Sequence, residues 1–280
     1  MSGLREVCRF KRPALASVTA GMTGGMPAGG GMYPVGAQSY SFRTFDLEGA
    51  IRQLKALDLD LMEFCGVHFP ADPAYADLGR VKERLIEEGI KVPCYGVEGF
   101  GSDAAANRRK FEFAQAIGAG ILTADPAPES FDNLDELCEE FGIRIAIHNH
   151  GPESRYNKVE DTLKAVDKHS ALIGACVDTG HALRSGEAPH DVIRALGSRV
   201  ISLHLKDWKD GRETIAGQGA LDMVAVAREL MAVAFSGPIV IEYEESPDNP
   251  VPDMRIGLRN WREAVEAAAP PSENEGFGKE

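Results

Sequence analysis

The chain has 280 residues, a formal charge of −13, 44% hydrophobic residues and 26% charged residues. That length can bury a full core and is near the size of one β/α barrel, so a single domain is expected. The acidity argues against nucleic acid or an anionic membrane as partner, since no basic patch offsets it. The five cysteines (Cys8, Cys65, Cys94, Cys138 and Cys176) are odd in number and form no CxxC pair. This speaks against a disulfide framework and for a cytoplasmic location. No apolar run reaches the roughly 20 residues of a membrane helix, and the N-terminus lacks the apolar stretch of a secretory signal.

Residues 1–31 end in the run GMTGGMPAGGGM over Gly21 to Met32, too rich in Gly to offset the entropy of ordering it. They are expected to be a flexible leader, with Met32 as an alternative start and residues 32–269 as the barrel. From Tyr33 the pattern alternates. Strands are expected at Tyr33–Ser41, Leu59–Phe64, Lys91–Val97, Ile121–Ala124, Arg144–His150, Gly174–His181, Val200–Trp208 and Pro238–Glu245. Helices are expected at Asp46–Leu57, Tyr75–Glu88, Ala104–Ile117, Phe131–Phe141, Lys158–His169, Pro189–Leu196, Leu221–Phe235 and Asp253–Ala268, several of them closed by Gly. Residues 270–280 are expected to be a loose tail. Eight strands, each followed by a helix, favour an α/β protein of the closed (β/α)₈ TIM barrel type over an open doubly wound sheet.

The last four strands are apolar first and ionisable last: RIAIHNH, GACVDTGH, VISLHLKDW and PIVIEYEE. A parallel barrel keeps its chemistry at the C-terminal ends of its strands. Strand side chains alternate, so His148 and His150 share a face, as do Cys176 and Asp178, His204 and Lys206, and Glu242 and Glu244. If that face is the interior, His148, Asp178, His204 and Glu242 converge. Two imidazoles and two carboxylates suit one divalent ion, Mn²⁺ foremost, with Co²⁺, Fe²⁺ or Zn²⁺ as alternatives. Cys176 lies one inward position deeper and reads as barrel core, and Glu244 reads as solvated at the rim. Lys206, inward beside a ligand, is placed to bind a substrate hydroxyl or oxyanion.

The ordered series IHNHG, VDTGH, HLKD and IEYE resembles the xylose isomerase-like barrels, which include sugar epimerases, inosose dehydratases and the endonuclease IV group. The resemblance covers roughly Tyr33 to Ala268. It implies a divalent ion held by a Glu, Asp, His and Glu from strands five to eight; Asp178, His204 and Glu242 match that pattern, and His181 matches a His that often touches substrate. His148 stands where many relatives have Glu. The family's epimerases use two glutamates on opposite sides of the substrate carbon, so His148 moves the expectation some way toward elimination. It remains able to act as ligand or as base.

The expected function is therefore a metal-dependent sugar or polyol isomerase or epimerase that abstracts a proton next to a carbonyl or hydroxyl polarised by the metal, with His148, Glu242 and Lys206 as catalytic groups. The alternative is a dehydratase or lyase acting on an inosose or 3-keto-glycoside through the same enolate. Substrate contacts are expected from His68, Glu98, His150 and His181, and from Arg212 in the run KDGRETIAGQGALD, which looks like the family's loop after strand seven. Gln38 and Glu63 are weaker strand-end candidates, and Trp208 and Phe100 could wall a sugar face. An apurinic endonuclease would need further ligands that Glu98 and the Asp210–Arg212 stretch do not supply; a non-catalytic sugar-binding barrel is the third class. The expected partner is a small carbohydrate, with a homo-oligomer allowed.

Overall fold

A computed structural model describes residues 33–270. The leader expected over 1–31, the alternative start at Met32 and all but the first residue of the expected tail lie outside that range. The first barrel strands and their helices are β1 (Val35–Gln38), α1 (Leu47–Ala56), β2 (Met62–Glu63), α2 (Leu78–Glu87), β3 (Cys94–Phe100), α3 (Ala104–Ile117), β4 (Ile121–Pro126) and α4 (Phe131–Phe141). Next come β5 (Arg144–His148), α5 (Val159–Val166), β6 (Ile173–Asp178), the short α6 (Thr179–Arg184), α7 (Pro189–Leu196) and β7 (Val200–Leu205). The chain then forms β8 (Asp207–Lys209), β9 (Arg212–Thr214), α8 (Met223–Ala232), the eighth barrel strand β10 (Ile239–Ile241) and α9 (Val251–Ala268).

Eight strands lie in one parallel sheet in the order β2-β1-β10-β7-β6-β5-β4-β3. The bridges Leu61–Lys91 and Phe64–Tyr95 bring the two edge strands together and close the ring. Local chemistry sets the helix ends. Asp46, Asp103 and Asp222 accept hydrogen bonds from first-turn N–H groups of α1, α3 and α8, and Gly118 and Gly142 end α3 and α4 at φ of 80° and 67°. Cys94, Ile121, Ala146, Cys176 and Ile201, one from each of five successive strands, pack as a separate small cluster, while a larger cluster joins strands to helices. Cys176 is fully buried, as barrel core should be. No helix among the described residues is long and apolar enough to cross a membrane.

Several expected strands end early, among them the first at Gln38, the fifth at His148 and the eighth at Ile241. The sixth stops at Asp178, whose side chain accepts from the His181 N–H at 2.7 Å and caps α6, so Thr179, Gly180 and His181 are helical. The seventh stops at Leu205; Asp207–Lys209 instead pairs antiparallel with Arg212–Thr214 around Asp210 and Gly211, both at positive φ. Beneath this hairpin, buried Asp207 accepts from the N–H groups of Trp208, Gly217, Gly219 and Leu221 at 2.7–2.9 Å. The GQG segment thus wraps a carboxylate belonging to the protein. Asp207→Asn, which turns an amide toward those donors, should lower unfolding free energy by about 3 kcal/mol, read from urea titration.

Candidate metal centre

The register of the last strands brings the ionisable residues level. Asp178 on β6 is paired with His204 on β7, His204 with Val240 on β10, and His148 on β5 with Cys176. Glu242 continues from β10, its N–H donating to the Leu205 carbonyl at 3.2 Å. One ligand atom from each of His148, Asp178, His204 and Glu242 lies within 4.8 Å of the others. Among the described residues this is the one such group.

The donor set fits a divalent transition metal, and the polar bookkeeping agrees. His148 Nε2 and Asp178 Oδ2 are buried without a hydrogen-bond partner, and they lie 3.6 Å apart inside the group. Two orphaned polar atoms at one point are costly unless a cation satisfies them. Burial alone would raise the Asp178 carboxyl, but His181, Lys206 and His148 hold it well below the usual carboxylate range. Burial would likewise raise the Glu242 carboxyl, but the Lys206 ammonium and the His204 hydrogen bond bring it down. Both are therefore ready as anionic ligands.

His204 is braced from both sides. Its Nδ1 lies 3.0 Å from Glu242 Oε2, and its Nε2 lies 3.1 Å from Glu63 Oε2 on β2, across the barrel. Burial pushes this imidazole down, but Cys176, Glu63 and Glu242 lift it well above the ordinary histidine range. A cation on Nδ1 would displace a proton there, while Nε2–H stays directed at Glu63. Glu63, expected only as a weak strand-end candidate, is the carboxylate that would hold His204 in that tautomer if an ion were bound. Glu63→Gln should weaken metal affinity about 10- to 100-fold, measured by competition with a chromogenic chelator, while the folded barrel persists.

Lys206 is 2% exposed and surrounded by acid: Nζ lies 2.5 Å from Glu244 Oε1, 3.4 Å from Glu242 Oε2 and 3.9 Å from Asp178 Oδ2. Burial pulls its pKa down, but Glu242, Asp178, Glu213 and Glu244 drive it above the usual lysine value. Glu244 is therefore the partner of Lys206 rather than a solvated rim residue. Glu213, which the sequence reading did not single out, is buried on β9; desolvation pushes its carboxyl up to about 8, and it accepts from the Glu244 N–H at 3.1 Å. Gly180 makes room for the lysine stem, since a Cβ there would lie 2.5 Å from Lys206 Cγ. Thr179 Oγ1 joins the strand ends by donating to the Lys206 carbonyl at 2.5 Å and accepting from its N–H at 2.9 Å.

A cavity of about 400 Å³ opens above the ligands, lined by His148, His150, His181, Glu242, Glu244 and Asp125 among others. His181 is 5% exposed, its ring centroid 4.0 Å from that of His150, and burial lowers its pKa to about 3. Three residues expected to touch substrate do not line this cavity. Glu98 turns to Lys110 on α3 at 2.7 Å. The His68 ring packs edge-on against Phe64, with both nitrogens buried. Arg212 is exposed at the tip of the hairpin. Nor do Phe100 and Trp208 form the apolar wall, because Phe100 is core against Phe111 and Trp208 stacks with Arg184. Tyr40 and Val97, 37% and 43% exposed, line the mouth instead.

Known proteins are similar to parts of this chain. An inosose dehydratase from Lactiplantibacillus plantarum is 26% identical over 156 residues, 48% of this chain and 52% of that protein. A 3-oxo-isoapionate decarboxylase from Pectobacterium atrosepticum is 27% identical over 150 residues, 49% of this chain and 52% of that one. The chain thus spans about half the length of these curated relatives. A crystal structure of the IolI protein with a bound zinc atom superposes with a TM-score of 0.67 at 16% identity, covering 84% of this chain and 99% of the other. The family model described as xylose isomerase-like TIM barrel matches residues 51–266, a span that runs from within α1 through most of α9 and includes His148, Asp178, His204 and Glu242. With the ring of parallel strands and the ligands at their C-terminal ends, that match places the chain in the xylose isomerase-like TIM barrel family.

Proposed function

We propose that this chain is a divalent-metal-dependent enzyme acting on a free sugar or polyol, and that it removes a proton beside a carbonyl and then expels a β-oxygen substituent, as a dehydratase or lyase. Isomerisation or epimerisation through the same enolate is the second reading. The observation that carries elimination is the asymmetry of the ligand set: of the four ligands, only His148 and Glu242 line the cavity, and only one of these is a carboxylate. Epimerisation by two opposed carboxylates lacks its second partner. Relatives named inosose dehydratase point the same way.

An ion held by His148, Asp178, His204 and Glu242, with Mn²⁺ the first choice, supplies Lewis acidity that makes the C–H beside a carbonyl easier to ionise. The protein's groups do the rest. Glu242 takes the proton, and the electron pair moves onto the carbonyl oxygen as an enolate. The imidazole of His181 faces that negative oxygen from the cavity wall, whereas the Lys206 ammonium, expected as a catalytic group, does not line the cavity and instead pairs with Glu244 and Glu242, helping to keep Glu242 ionised. As the carbonyl re-forms, a C=C bond forms and the β-C–O bond breaks. Glu242 returns its proton to the departing oxygen, so loss occurs from one face.

The substrate is unphosphorylated on this reading. Among the described residues the cavity lining holds three carboxylates and no Lys or Arg, and Lys206 is committed to Glu244 and Glu242. The test is metal analysis of the purified protein, followed by incubation with Mn²⁺, Co²⁺ or Zn²⁺ and free inososes, ketoses or 3-keto-glycosides in D₂O. A conjugated enone with loss of the β-oxygen supports elimination. Solvent deuterium entering substrate or its isomer without a new double bond selects isomerisation. Full metal loading with neither outcome on any substrate class removes the enzyme reading.

A further inference from the structure

We propose that Arg184 is a positioning residue that locks His181 in the tautomer with its proton on Nε2 and so fixes an uncharged N–H donor on the cavity wall. Arg184 Nη1 lies 2.9 Å from His181 Nδ1. A guanidinium has only donors and keeps its charge, so Nδ1 must supply the lone pair and the ring proton must sit on Nε2.

The guanidinium is held by two neighbours. Its Cζ lies 4.9 Å from the centroid of the Trp208 ring, a cation–π stack. The backbone of Gly151 also runs against it, and a Cβ there would come within 2.7 Å of Cζ and 3.0 Å of both Nε and Nη2. Only glycine lets the guanidinium occupy that slot. The histidine is held just as firmly: its N–H is bound to Asp178 Oδ1 at 2.7 Å, and its ring lies against that of His150 at 4.0 Å between centroids. Backbone, one ring nitrogen and one ring face are thereby fixed, which leaves Nε2–H as the group His181 offers to the cavity it shares with His148 and Glu242.

The consequence is chemical. A neutral imidazole can hydrogen-bond a developing oxyanion without giving up its proton, whereas an imidazolium would quench it. Which substrate oxygen receives the bond rests on the reaction proposed above, but the tautomer does not. The test therefore begins with long-range ¹H–¹⁵N spectra of the full chain labelled with ¹⁵N, the His181 signals being assigned by their loss in His181→Gln. The expected pattern is an unprotonated Nδ1 and a protonated Nε2. Arg184→Met should mix the tautomers, Arg184→Lys should restore the pattern in part, and Gly151→Ala should disturb it while leaving the arginine in place. With any substrate that the metal-loaded enzyme turns over, Arg184→Met should lower kcat about 10-fold or more while KM changes little. Retention of the wild-type tautomer in both Arg184→Met and Gly151→Ala overturns the proposal. Absence of turnover by a protein with the expected spectra would count against the reaction alone.

Discussion

Asp178→Asn and Glu242→Gln should each strip the protein of its divalent ion and of its activity while leaving the barrel folded. Both substitutions keep the side-chain volume and an acceptor oxygen, so the bond from the His181 N–H to residue 178 and the contact between His204 and residue 242 can persist. What disappears is a full negative charge beside a dication at a buried point, and the remaining Asn or Gln oxygen is a poor substitute. Dissociation constants should rise at least about 100-fold and turnover should fall at least about 1000-fold, with circular dichroism and melting temperature near those of the parent. The pH dependence has a definite sign. His204 has its pKa raised, so protons and metal compete for its Nδ1; affinity should weaken as pH falls, by up to about tenfold per unit for one displaced proton. A variant of either kind that keeps parental metal content and rate would show that the ion sits elsewhere.

His148→Ala should lose the ion as well, because the orphaned Nε2 points at Asp178 Oδ2 from 3.6 Å and has no other partner. His148→Glu should keep a ligand and keep the ion, and it adds a second carboxylate to those of the four clustered residues that line the cavity. The pH–rate profile should then shift toward the lower pKa of a carboxylate. If elimination depends on having a single carboxylate base, this variant should also gain exchange of solvent deuterium into substrate relative to elimination. Full occupancy in His148→Ala would make His148 a base outside the metal, and full occupancy with full rate would remove it from the site.

The barrel and the convergence of His148, Asp178, His204 and Glu242 were legible because strand periodicity carries direction. An apolar run ending in an ionisable residue fixes where the strand stops facing the core, and alternation fixes which residues share the interior. Contacts made by long side chains after the strand ends were not. His68 does stand on its expected loop, where Phe64 packs it, but Glu98 lies within β3 rather than on the loop after it, and Lys110 draws it away. The six-residue α6 shows no helical period, and its cap is the ligand Asp178 itself, so the segment read as strand. Arg184 gained its role from Trp208 and Gly151, distant in sequence and brought beside it by the fold. The Asp210–Gly211 pair was a hairpin signal of the ordinary kind and could have been read.

The closure of the ring is uneven, and a hydrogen bond to one of the four clustered residues starts from its thinnest part. Other neighbouring strands share ladders, but β2 meets β3 through two isolated bridges, in which Met62 N–H donates to Lys91 at 3.0 Å and Gly96 N–H donates to Phe64 at 2.9 Å. Glu63 sits on that seam and reaches across the barrel to His204. An ion that orients His204 therefore fastens a clasp on the opposite wall. Filling the site formed by His148, Asp178, His204 and Glu242 should therefore slow exchange of the Met62 and Gly96 amides with solvent deuterium, and Glu63→Gln should weaken that effect.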